Sequence, residues 1–161
     1  MKEKTKLRES WIWNKSVNEF IRKLCKGYTL NVCAGESSIG DIKVDLDPKD
    51  KSILKADMKN LPFKGNTFDT VIQDPPWKIG YFDRWQPFFE CVRVCKVGGI
   101  IIYNAYWIPE SKYSKLERLF IRQDSAFTNT SIISVHRKIK DTNDKYRNKD
   151  NNKYKFSCIK Y

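Results

Sequence analysis

A lone histidine, His136, and five cysteines at 25, 33, 91, 95 and 158 without a CxxC pair leave this chain poorly equipped to build a metal centre. Structural zinc sites draw on Cys and His clustered at short spacings, so no metal is expected. An odd cysteine count without a spacing pattern also argues against a disulfide framework and fits reduced thiols in a cytoplasm. Cys91 and Cys95, four positions apart, read as core residues on one helix face, and His136 receives no catalytic role. No apolar run approaches membrane-spanning length, and the charged residues 1–9 are not followed by an apolar signal core. A cytoplasmic protein without a membrane partner is expected. The chain has no GxGxxG stretch, which sets aside a nicotinamide-dependent dehydrogenase, and no internal repeat.

What is present is enough for one domain. The 161 residues are 40% hydrophobic and 14% aromatic, a composition that supports a packed core rather than disorder. The net charge of +12 is unevenly distributed. Residues 1–30 carry eight Lys or Arg against three acids, residues 137–161 nine against three, and residues 31–136 fourteen against thirteen. A neutral body with basic ends suits contact with a polyanion. Nucleic acid, reached through the basic N- and C-terminal regions, is the expected partner.

Along the chain, Trp13, Val17, Phe20, Ile21 and Leu24 recur with a helical period, predicting a helix over 11–26 that Gly27 ends. Strands are predicted at 29–35, 42–46, 53–57 and 68–72. Only residues 36–41 separate the first two, although a parallel crossover normally takes a dozen residues or more. A helix is predicted from Phe82 to Cys95, stopped by Gly98 and Gly99. The continuous apolar run Ile100-Ile101-Ile102-Tyr103 predicts a strand buried on both faces. A further helix is expected over 111–122, then two closing strands at 127–135 and 154–161, with a basic loop at 137–153. The fold class is therefore α/β, a doubly wound and mostly parallel sheet. It forms one domain over 1–161, with an N-terminal helical segment at 1–28.

The stretch 67–77 organises the rest. Its strand runs into Asp74-Pro75-Pro76-Trp77, and two prolines cannot continue a central strand. The strand must end at Asp74, where ligands of open α/β sheets sit, outside the carboxyl ends of the strands. An acid, a rigid carbonyl pair and an aromatic face suit a planar group bearing an amine. Other features align with this edge. Gly35 ends the first strand and allows close approach of a ligand. Asp45 and Asp47 end the second, where an acid commonly accepts from ribose hydroxyls, and Asp57 ends the third. Lys78 and Arg84 are candidate phosphate contacts, and Tyr106 and Trp107 candidates for the target side of the pocket.

These residues together resemble the S-adenosylmethionine-dependent methyltransferases of the Rossmann-like class. The closest resemblance is to the amino-methyltransferases acting on adenine N6 or cytosine N4. It is carried by Asn31-Val32-Cys33-Ala34-Gly35, Val44-Asp45-Leu46-Asp47-Pro48, Ala56-Asp57-Met58, Leu61-Pro62-Phe63, Asp74-Pro75-Pro76-Trp77 and Val94-Cys95-Lys96-Val97-Gly98-Gly99. The resemblance implies S-adenosyl-L-methionine as cofactor. It puts Cys33, Ala34 and Gly35 beside the cofactor's methionine part, Asp45 on its ribose, and Asp57 and Met58 by its adenine, with Asp74 bordering it. Asp74 and the Pro75 carbonyl would accept from the target amine, with Pro76 fixing the turn and Trp77 stacking on the base.

The chain departs from the family in having Asn31 in place of the first-strand acid, no second loop glycine after Gly35, and a shortened first crossover. Glu36 and Asp41 are candidates to replace a lost contact. It also lacks an insert of target-recognition size, so a second copy or a partner subunit is expected to supply recognition. The alternatives are a non-catalytic nucleic-acid-binding subunit and a methyltransferase acting on protein side-chain amides.

Overall fold

The computed structural model describes Trp13 and residues 15–76, 78–123 and 130–142. The expected strand at 154–161, most of the loop at 137–153, Trp77 and the N-terminal residues before Trp13 lie outside the described residues.

Among the described residues seven strands form one sheet in the order β3-β2-β1-β4-β5-β7-β6. They are β1 (Thr29–Val32), β2 (Ile42–Asp45), β3 (Leu54–Lys55), β4 (Phe68–Gln73), β5 (Cys95–Ala105), β6 (Ser114–Gln123) and β7 (Thr130–Lys138). The first five are parallel, and β7 enters antiparallel between β5 and β6. Among the described residues two α-helices accompany them, α1 (Lys15–Leu24) and α2 (Trp85–Val94), with a 3-10 turn at Tyr81–Asp83. The order reverses between β1 and β4, the place where a doubly wound sheet opens a crevice.

Alternation along β5 shows why its sequence is continuously apolar. Ile100 and Ile102 join Trp13, Ile21, Leu24, Ile72, Ile133 and Val135 on the α1 face. Ile101, Tyr103 and Ala105 join Leu30, Val71, Phe88 and Val92 on the α2 face. A strand covered on both sides needs apolar residues at every position. The stripe of α1 comes from Val17, Phe20, Ile21 and Leu24, and Arg22 and Lys23 fall in its last turn, where cations complement the helix dipole. Pro87 sits in the first turn of α2, where its missing N–H has no helical partner to lose.

The first crossover contains no helix: β1 and β2 pair directly, in parallel, across residues 33–41. Three contacts hold this loop in a helix's place. The Asn31 amide donates to the Ile39 carbonyl at 3.0 Å, Arg22 donates to the Ser38 carbonyl at 3.0 Å, and Ile39 inserts into the α1-face core. On the other face, the loop at Leu61 and Phe63 is held to α2 by an ion pair. Arg93 pairs with Glu90 at 2.7 Å and donates to the carbonyls of Leu61 and Phe63, while Glu90 accepts from the Leu61 N–H.

Four expectations are corrected. Residues 111–122 do not form a helix; most of them build the edge strand β6. A bulge between Leu116 and Arg118 inserts one extra residue, which breaks the two-residue alternation. Leu116 and Leu119, opposite His136 and Ser134, thereby fall on one face three positions apart, while Phe120 packs on the α1 face. Second, Gly98 and Gly99 do not stop α2, which ends at Val94 and passes straight into β5. They lie inside that strand beside the register shift opposite Phe68 and Thr70, and a Cβ on Gly99 would come within 2.7 Å of the Asp69 carbonyl oxygen. Cys95 is therefore the first residue of β5 rather than a helix position. Third, the closing strand expected at 127–135 runs from Thr130 to Lys138 and pairs with β5 and β6. Fourth, Arg137 and Lys138 belong to β7 and not to the basic loop. Lys138 is fully buried and donates to Asn66 Oδ1 and the Cys95 carbonyl, both at 2.8 Å. Arg137 pairs with Glu117 and donates to the Gly98 carbonyl. These two cations hold the fold together.

Among the described residues no helix is long and apolar enough to cross a membrane.

Candidate active site

The carboxyl ends of β1, β2 and β4 bring the sequence-derived residues together. Asp74 follows β4 directly, since proline at 75 and 76 ends the ladder there. Its Oδ2 accepts from the Trp13 indole N–H at 2.6 Å, and its Oδ1 from the Asn104 amide at 3.0 Å. The second contact follows from register. Gln73 pairs with Tyr103, so the next residue on each strand, Asp74 and Asn104, meets its neighbour on the α1 face. Burial pushes the Asp74 carboxyl up to about 6, against the opposing pull of the Trp13 and Asn104 hydrogen bonds and the Arg122 charge. The group is thus ionised at neutral pH but titrates close below it.

Pro75 is buried and Pro76 exposed. The Pro76 carbonyl accepts from the Ile79 N–H at 3.0 Å, closing the turn, and among the described residues nothing donates to the Pro75 carbonyl. The Pro75 carbonyl follows Asp74 directly along the chain. Trp77 lies outside the described residues.

At the end of β1 the chain turns sharply, with left-handed backbone at Cys33 (φ 57°) and Gly35 (φ 52°). Ala34 N–H stays on the Val44 carbonyl at 3.0 Å, and Gly35 N–H donates to Asp45 Oδ2 at 2.9 Å. Asp45 also accepts from the Asp47 N–H at 3.1 Å, so this carboxylate at the end of β2 closes the glycine turn and its own. Asp57 lies just past β3 in a turn with Asn60, its Oδ1 accepting from the Lys59 N–H at 2.8 Å. The Cys33 thiol lies 3.4 Å from the Met58 sulfur. Burial first, and then the carboxylates of Asp45, Asp74 and Asp57, drive that thiol far above its ordinary value. Three acids from three strand ends therefore act on one point at the end of β1.

Asp41 does not belong to this group. It accepts from the Thr29 N–H at 2.8 Å, at the amino end of β1, the opposite edge of the sheet. The position of the missing first-strand acid is filled by Asn31, whose amide is committed to the crossover. His136 is buried in β7, 3.0 Å from the Ser134 hydroxyl, and burial lowers it to about 4.

Sequence reasoning missed Trp13 and Asn104. Trp13 reads as one more apolar position of the first helix, and Asn104 only as the end of an apolar run. The register between the two prospective strands was the signal that could have paired Asn104 with Asp74.

Comparison with known proteins bears on this arrangement. The profile of a family described as "Methyltransferase domain" matches residues 17–103, more than half of the chain. Comparison with curated proteins gives no match. Among solved structures, the 1,6-didemethyltoxoflavin-N1-methyltransferase of Burkholderia thailandensis, with S-adenosylhomocysteine bound, superposes at a TM-score of 0.60 and 7% identity over 78% of each chain. A putative methyltransferase from Bacillus halodurans gives 0.57 and 12% identity over 78% of this chain and 100% of its own. A TehB-like S-adenosylmethionine-dependent methyltransferase from Corynebacterium glutamicum gives 0.57 and 12%, over 75% and 86%. At these identities the likeness is one of fold.

Proposed function

Since this chain belongs to the methyltransferase-domain family and S-adenosylmethionine is its cofactor, we propose that it methylates an exocyclic amine of a nucleobase, adenine N6 in DNA or RNA. The observation that carries this reading is the Asp74 carboxylate, fixed by one donor on each oxygen and followed by the rigid Pro75-Pro76 carbonyls. Two acceptors side by side match the two hydrogens of an amino group.

The donor set fits the cofactor. Carboxylates at the ends of β2 and β3 suit ribose hydroxyls and an adenine amino group, and their summed negative charge at Cys33 suits a sulfonium and an ammonium. Cys33, Ala34, Gly35, Asp45, Asp57 and Met58 would hold it. The cofactor supplies an electrophilic methyl group. Asp74 and the Pro75 carbonyl do the remainder by position. An exocyclic nitrogen is a weak nucleophile because its lone pair is delocalised into the ring. Accepting both N–H hydrogens favours a more tetrahedral nitrogen with that pair directed out of the ring plane. Preorganised acceptors of this kind lower a barrier by a few kcal/mol (roughly 2–4). Trp77, by its place after the prolines, would stack on the base, worth ~1–3 kcal/mol.

The helix-free first crossover and Asn31 favour a second reading, a non-catalytic nucleic-acid-binding subunit. Titration with S-adenosylmethionine separates the two, because the enzyme must bind it. The decisive assay offers labelled methyl donor with single-stranded DNA, duplex DNA, structured RNA, total cell protein and small heteroaromatic amines, alongside D74A. N6-methyladenine in a nucleic acid, lost in D74A while cofactor binding persists, is the expected result. Transfer only to protein or small amines would replace the proposed acceptor.

A further inference from the structure

Beside the candidate active site the chain builds an aromatic cage around one cation. The Arg84 guanidinium lies 4.8 Å from the Trp107 ring centre, 5.1 Å from that of Tyr81 and 5.5 Å from that of Tyr106. Two segments supply it: the one leaving Pro76 for α2, and the one leaving β5 after Ala105. Both start from the strand ends that the Asp74–Asn104 hydrogen bond ties together, which puts the cage on the same edge of the sheet as Asp74.

Its electrostatics are incomplete. Arg84 makes no ion pair or hydrogen bond among the described residues, and its Nε is buried without an acceptor. The Trp107 indole N–H in the same cage is likewise buried and unpaired. The neighbouring Asp83 is turned away, paired with Lys59 at 2.9 Å. Buried N–H donors without acceptors carry a desolvation cost; here one belongs to the guanidinium, which has no counter-charge among the described residues, and the other to the indole beside it. A ligand that relieves both is an anion with several acceptor oxygens. Ring stacking pre-orients the guanidinium for this, since its rigid fork matches phosphate geometry.

The surroundings favour one source of that anion. Tyr81 (56% exposed) and Phe82 (77%), packed edge to face with ring centres 5.5 Å apart, stand exposed at the cage. Large exposed aromatics beside a cation are the pattern by which proteins hold single strands, bases on rings and backbone on charges. We propose that Arg84 and the Trp107 indole N–H bind a phosphodiester of a single-stranded nucleic acid next to the target nucleotide, with Tyr81 and Phe82 receiving a neighbouring base. The proposal rests on the nucleobase reading for the identity of the polymer, but it concerns binding and needs no turnover.

The test is fluorescence anisotropy of a labelled single-stranded adenine-containing oligonucleotide across a salt series. It compares the full chain with R84Q, W107F and K64Q. Lys64 precedes β4, at the opposite end of the sheet, and its loss is a charge-matched control. Wild type should bind, and R84Q should weaken binding at least tenfold and reduce the slope of log K against log salt by about 0.7, the share of one single-strand phosphate. W107F should weaken binding less and leave the slope unchanged, since it removes a donor and no charge. R84Q indistinguishable from K64Q in affinity and slope overturns the proposal, as does failure of the wild type to bind the oligonucleotide. Thermal melts of each variant separate lost contacts from lost folding. Binding that depends on Arg84 in a protein transferring no methyl to any nucleic acid would uphold the cage and overturn the enzymatic reading instead.

Discussion

The Trp13 indole N–H and the Asp74 carboxylate, 61 positions apart, are joined by a hydrogen bond of 2.6 Å. This contact ties the segment before α1 to the carboxyl end of β4, and it orients one oxygen while Asn104 orients the other. W13F keeps most of the apolar packing and removes the donor. Turnover should fall roughly 10- to 100-fold, the usual cost of a slightly misplaced reacting group, with cofactor affinity unchanged. A kcat effect in steady-state kinetics, with titration of the cofactor in parallel, checks this. Equal loss of cofactor binding would show that Trp13 acts on the fold instead.

The pH profile follows from the same carboxyl. Asp74 must be ionised to accept from an amine, and burial places its titration at about 6. Activity should therefore rise with pH through about 6 as one proton leaves, then level off. The Trp13 hydrogen bond pulls the value down, so W13F should shift the acid limb upward, toward neutrality. N104L should do the same. A limb that stays fixed in both variants would assign the titration to another group.

The parts of the fold legible in the sequence were those where pattern and burial agree. Ile100-Ile101-Ile102-Tyr103 and the strand before Asp74 lie at the sheet centre, buried on both faces, and the acid-Pro-Pro run marks its own strand end. The short spacing between β1 and β2 was visible too. That Asn31, Arg22 and Ile39 would stand in for a crossover helix was not, because those contacts join three separate segments. β6 was misread because it is an edge strand with a bulge: few of its residues are forced inward, and the extra residue imitates a helical period. Gly98 and Gly99 read as a helix stop because glycine serves a close backbone approach as readily as a cap. Trp13 and Asn104 stayed hidden because a tryptophan in an apolar stripe and an asparagine after one carry no signal until register brings them to Asp74.

The two aspartates at either end of β2 should separate cleanly. Asp45 accepts from the Gly35 N–H at the cofactor edge, and Asp41 from the Thr29 N–H at the opposite edge. D45A should weaken S-adenosylmethionine binding about 10- to 100-fold, the loss of a hydrogen bond to a charged group. D41A should leave that affinity unchanged and cost about 1–2 kcal/mol of stability, since the buried Thr29 N–H loses its acceptor. Calorimetric titration and denaturant melts of both variants check the contrast; comparable affinity loss in D41A would contradict the assignment of Asp41 to the far edge.

His136 should make the protein acid-sensitive. Its imidazole is buried against Phe88, with ring centres 4.8 Å apart, and burial holds it at about 4 in the folded chain against 6.5 when exposed. Between those values the unfolded chain binds the additional proton, so stability falls as pH drops. The full contribution, present above about 6.5 and lost by about 4, is on the order of 3 kcal/mol. Asp74 works in the opposite direction. Its folded value lies above its ordinary one, so the folded chain binds the extra proton between about 3.8 and about 6 and offsets part of the loss. The clean measurement is therefore a difference. The stability of wild type minus that of H136L, from denaturant melts, should decline as pH is lowered from 7 to 4, and the same difference taken against D74N should grow. A pH-independent gap for H136L would mean that the imidazole titrates alike in the folded and unfolded chains, and that its burial costs the proton nothing.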